Sequence, residues 1–96
     1  MLIGDVSAAA DDAQRGLNIA TSLQGGLPYS RRTGLALLTL GKALQAKGDR
    51  TGAGKAFEGA VTHLSNTVDA DHPSLAEARA LLLEWQTQSR TANVPD

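Results

Sequence analysis

Apolar residues recur along this chain at intervals of three and four, the spacing that gathers side chains on one face of an α-helix. Leu37, Leu40 and Leu44 make one such stripe. Phe57, Ala60, Val61 and Leu64 make a second, and Leu75, Ala78, Leu82 and Trp85 a third. Turn chemistry between the stripes predicts four helices. The first runs from about Asp5 to Leu23, with Asp5 or Ser7 as cap, Asp11 and Asp12 early in it, and Gly25, Gly26 and Pro28 ending it. The second runs from about Ser30 to Lys47 and stops at Gly48, a natural left-handed residue. The third opens on Asp49 as N-cap and reaches about Thr67. The fourth starts at Pro73, whose missing N–H costs nothing in a first turn, and runs to about Ser89. The expected organisation is one all-α domain over residues 1–90, followed by a flexible tail over 91–96.

Laid on itself, the chain repeats. Gly4, Asp5 and Ala9 match Gly48, Asp49 and Ala53 at an offset of 44, and Gly16-Leu17 match Ala60-Val61 at the same offset. Ser30 then matches Ser74, after which a slip of two residues aligns Leu40-Gly41 with Leu82-Leu83. A period in the low forties is the mark of stacked helical hairpins. Gly41, Ala53 and Ala60 are small where two helix axes must come close, and Leu40, Leu44 and Phe57 fill the space between them.

On these residues the chain resembles the tetratricopeptide repeat family, in its longer variety of roughly 42 residues found in kinesin light chains and many bacterial regulators. The resemblance is carried by Leu37, Leu40, Gly41 and Leu44, the Gly48-Asp49 turn, Ala53, Phe57 and Ala60, and Asp71-His72-Pro73. It implies about four antiparallel helices stacked as hairpins, a fragment of an α-solenoid. Leu83 stands where Gly41 stands one unit earlier, so the last helix reads as terminal. Gly4-Asp5 reads as a turn between two helices, so the chain is expected to begin partway through a repeat of a larger, bacterial protein.

Composition narrows the function. A net charge of −1 over 96 residues argues against a general nucleic-acid binder. The charge is uneven: Arg31, Arg32, Lys42, Lys47, Arg50 and Lys55 outweigh Asp49 and Glu58 in the middle, while both flanks are acidic. Solvated helix faces account for this more simply than a patch for an acidic partner. With no cysteine, neither a disulfide framework nor a thiol nucleophile is available. No apolar run reaches the ~18 residues of a membrane span, and no secretory leader is recognisable. A soluble, cytoplasmic setting is the expectation.

The candidate chemistry is thin. Asp49 to Ala56 has the outline of a phosphate-binding loop, but Asp49 replaces its first glycine, Ala56 replaces its hydroxyl, and a helix precedes it. A helix start explains it better. His63, Asp69, Asp71 and His72 have no recognised metal-ligand spacing. Asp11 and Asp12 are helix neighbours pointing ~100° apart, which suits a dipole role. No serine sits in a nucleophile elbow. The reading is a non-enzyme, with no cofactor and no metal.

Binding is the remaining function class. By the family resemblance, Leu35, Leu38, Lys42 and Gln45 would face a concave peptide or partner groove from the second helix, and Glu77, Leu81, Glu84 and Gln88 from the fourth. The cation expected of a clamp for a terminal carboxylate is replaced by Leu38. Plain packing on neighbouring helices is the competing account of Leu35, Leu38 and Leu81. The fourth helix is apolar over more than a surface stripe, and Ala76, Ala80, Leu83 and Trp85 mark a self-association face. The expected partner is a protein or peptide, another copy, or neighbouring repeats of a longer chain, with neither nucleic acid nor membrane. Two rivals stand beside this interaction or self-assembly module. One is a regulatory segment attached to a bacterial signalling kinase or transcription regulator. The other is a small helical enzyme or ligand-binding bundle, which would need a polar pocket that the sequence does not supply.

Overall fold

The computed structural model describes residues 3–92, with side chains from Ser7 to Gln88. Four helices follow one another: α1 (Ile3–Gln24), α2 (Arg31–Lys47), α3 (Arg50–Ser65) and α4 (Pro73–Ala92). Each packs chiefly on the next in the chain, and the molecule measures 46 × 32 × 22 Å. Its radius of gyration, 13.9 Å, exceeds the roughly 12.5 Å of a spherical packing of this length. Sequential stacking is therefore the architecture, with α1 and α4 at its two ends.

The helix ends form where local chemistry demands. Ser30 is extended, and its hydroxyl accepts the N–H of Thr33, capping α2. Gly48, at φ 94°, donates to the Gln45 carbonyl while Asp49 donates to that of Leu44, the paired bonds of a left-handed helix stop. Asp49 also starts α3, its carboxylate accepting the N–H of Gly52 at 3.0 Å. One dipeptide thus ends a helix and begins the next. His72 precedes α4 and accepts the N–H of Ser74 through Nδ1 at 3.1 Å. The start of the chain departs from expectation: Gly4 and Asp5 lie within α1 and form no turn. The repeat of the Gly-Asp dipeptide is therefore one of sequence, without the left-handed glycine that makes the later copy a turn. At the other end α4 continues to Ala92, and residues 93–96 of the expected tail lie outside the described residues.

The core runs along α3. Ala53, Phe57, Ala60 and Leu64 are fully buried, joined by Leu38 from α2 and by Leu75 and Ala78 from α4. Close approach of α2 to α3 depends on glycine. A methyl group on Gly34 would lie 2.8 Å from Cγ of Leu64, and one on Gly59 2.9 Å from Cδ1 of Leu37. These pairings run in opposite chain directions, so α2 and α3 are antiparallel. A smaller cluster of Ala13, Leu40 and Ala56, flanked by Leu17, Leu37 and Leu44, ties α1 to the same stack.

Candidate functional site: a groove between α1 and α2

The expected groove residues scatter in the folded chain. Leu38 is 5% exposed and belongs to the core, so it is a packing residue and not part of an open binding face. Its position explains why: it lies four residues after Gly34 and three before Gly41, on the face of α2 pressed against α3. Leu81 is half-buried against the same core. Leu35, Glu84 and Gln88 are exposed, and Gln45 is half-buried. Lys42 and Glu77 do come together, with Nζ 2.9 Å from Oε2, linking α2 to α4 across solvent-exposed positions. An exposed pair of this kind contributes little stability.

The expected self-association face is mostly open. Ala76 and Ala80 are exposed, and Leu83 is 64% exposed. Trp85 is not part of that face. Its indole N–H donates to the Arg50 carbonyl at 2.7 Å, and its six-membered ring lies over Gly54, where a methyl group would collide with it. Trp85 therefore fastens α4 to the start of α3.

The histidines are structural as well. His63 accepts the N–H of Ser30 through Nδ1 at 3.0 Å and meets the Tyr29 ring edge-on, at 6.0 Å between centroids. It holds the loop between α1 and α2 against the end of α3. Among the described residues no three histidine, cysteine or acidic side chains gather as metal ligands, and no helix is long and apolar enough to cross a membrane.

The feature that sequence reasoning did not single out is a groove of about 470 Å³ between α1 and α2. Ala9, Ala13, Gly16 and Ala20 form one wall, Arg32, Ala36 and Thr39 the other, and Asp12 stands on the α1 side. The α1 residues follow one another at three or four positions, a single helical row. That row is visible in the sequence, but alanine and glycine give it a weak hydrophobic signal. Among the described residues no third helix lies over it, and that is what turns a packing seam into a groove.

No protein-family model matches the chain, and no curated protein or solved structure is detectably similar to it.

Proposed function

We propose that this chain is a non-catalytic protein–protein interaction module of the tetratricopeptide type that seats a partner helix in the groove between α1 and α2. The observation that carries this reading is the groove itself. It is lined mainly by small residues of two helices, with Ala9 and Gly16 exposed and Ala13 and Ala20 buried. A helix laid into such a groove buries apolar surface along the alanine and glycine row, one of the recurring modes of peptide recognition. The alternation of helices and the Gly48-Asp49 turn accord with the family resemblance. A cytoplasmic setting accords with the lack of cysteine.

The test uses α2 itself, a helix that the molecule already packs between two others. A fluorescent peptide spanning residues 30–48, which contains α2, is titrated against the protein and followed by anisotropy. Saturable binding that is lost in Gly16→Arg is expected. Gly16 has open space around it, so this arginine fills the groove without disturbing the fold. A peptide that binds neither protein, or both equally, would sink the reading.

A further inference from the structure

The molecule already contains a filled version of its empty groove. At the offset of 44 found in the sequence, Ala9, Ala13, Gly16 and Ala20 correspond to Ala53, Phe57, Ala60 and Leu64. Those four α3 residues are fully buried, and they form the seam on which α2 lies. At the starts of α2 and α4, Ser30 corresponds to His72 and not to Ser74, an offset of 42 that agrees with the match of Leu40-Gly41 to Leu82-Leu83. At that offset Ala36 corresponds to buried Ala78, and Thr39 to Leu81, which packs on the core. The registers also agree where α1 meets α2. The counterparts of Gly54 and Trp85 are Ala10 and Ala43, the first buried and the second half-buried against the cluster of Ala13, Leu40 and Ala56. The α1–α2 groove is thus the repeat equivalent of the seat between α3 and α4 that α2 occupies.

The helix equivalent to α2 is α4. Its exposed Ala76, Ala80 and Leu83 correspond to Gly34, Leu38 and Gly41, the buried residues with which α2 meets α3. Among the described residues one open end of the molecule therefore has no α2-like helix over it, while at the other end the side of α4 that corresponds to the α3-facing side of α2 is bare. We infer that α4 of one copy docks in the α1–α2 groove of a second copy, joining molecules head to tail. This rests on the helix-seating reading above and names its occupant.

Transferring the α2–α3 contacts makes the fit specific. Gly41 against Phe57 becomes Leu83 against Ala13, so the large and small members exchange sides and the gap is filled from the other helix. Gly34 against Leu64 becomes Ala76 over Ala20, which is itself buried, so the new contact falls on neighbouring Ile19, 61% exposed. Leu37 packs on the cluster containing Ala56. Its counterparts are Arg79 and Asp12, an apolar contact replaced by opposite charges on the two open faces. Both are exposed in the single chain, and Asp12 pairs only loosely with Arg15 on its own helix, at 3.6 Å. The contact joins two different faces, so it leaves each assembly with one free end of each kind and continues beyond a dimer.

Sedimentation velocity across a wide concentration range tests this with two end-blocked variants. Gly16→Arg fills the groove and Leu83→Glu charges the α4 face. Circular dichroism checks that both remain helical. The wild type is expected to form species larger than dimers as concentration rises, while each variant alone stays monomeric. An equimolar mixture should give a one-to-one heterodimer and nothing larger, because one good groove meets one good α4. Asp12→Arg and Arg79→Glu should each weaken assembly at least several-fold, and together restore it. A wild type that remains monomeric, stops at a symmetric dimer, or a variant mixture that stays monomeric, would overturn the inference. If the 30–48 peptide still binds in that event, the helix-seating function stands and only the occupant is wrong.

Discussion

A methyl group on Gly41 would sit 2.5 Å from Cε1 of Phe57, closer than any carbon contact allows. Phe57 is fully buried and hemmed in by Ala53, Ala60 and Leu38, so its ring has nowhere to retreat. The approach of α2 to α3 is therefore set by the missing side chain at Gly41.

This relationship predicts opposite outcomes for the same substitution at two glycines. Alanine within a helix is favoured over glycine by about 1 kcal/mol. At Gly16, where open space surrounds the Cα, that gain should appear undiminished and raise the melting temperature. At Gly41 overpacking of about 1–3 kcal/mol should outweigh it. Thermal melts followed by circular dichroism should show Gly16→Ala rising and Gly41→Ala falling, each by several degrees. Two shifts of the same sign would refute the packing account.

Trp85 offers a second test. Trp85→Phe keeps an aromatic ring over Gly54 but removes the N–H given to the Arg50 carbonyl. A loss of about 0.5–1.5 kcal/mol is expected in urea unfolding. Because the bond ties α4 to α3, amide exchange should quicken in α4 before it does in α2. Unchanged exchange in α4 would mean that the contact holds nothing.

His63 should matter through one lone pair. His63→Ala leaves the Ser30 N–H without its acceptor and removes the edge contact to Tyr29. A half-buried donor left unpaired costs about 1–3 kcal/mol at full burial, so the lower part of that range is expected here. The readout is the exchange rate of the Ser30 amide relative to that of Ala53, which lies far from the loop. Equal effects at both would point to general destabilisation.

Lys42 and Glu77 should disappoint as stabilisers. Their side chains are about half exposed, and such pairs contribute about 0–1 kcal/mol, falling with salt. Lys42→Ala should shift the urea midpoint scarcely at all at physiological ionic strength. A large shift would reveal a more demanding role for this link between α2 and α4.

Much of the architecture could be read directly from the residues. Ser30, Gly48, Asp49 and Pro73 mark helix ends by chemistry confined to a few neighbouring residues, and each lies where that chemistry places it. Gly4-Asp5 misled because a Gly-Asp dipeptide makes a turn only where the helix before it ends. Leu38 misled for a different reason. A helix packed on both sides, as α2 is between α1 and α3, buries an arc wider than one stripe, and periodicity alone cannot divide that arc between its neighbours. The same limit hid Gly54 beneath Trp85, since a pairing across 31 positions leaves no local trace.

The sequence by itself determined that there are four helices, where most of them begin and end, and the offsets that relate the first pair to the second. Those features depend on backbone conformations and hydrogen bonds between near neighbours. Only the tertiary structure decided which faces are covered: Leu38 and Trp85 inward, Leu83 outward, and the small residues of α1 left lining a groove. Burial depends on whether another helix arrives, and among the described residues α1 packs chiefly on α2 and α4 on α3.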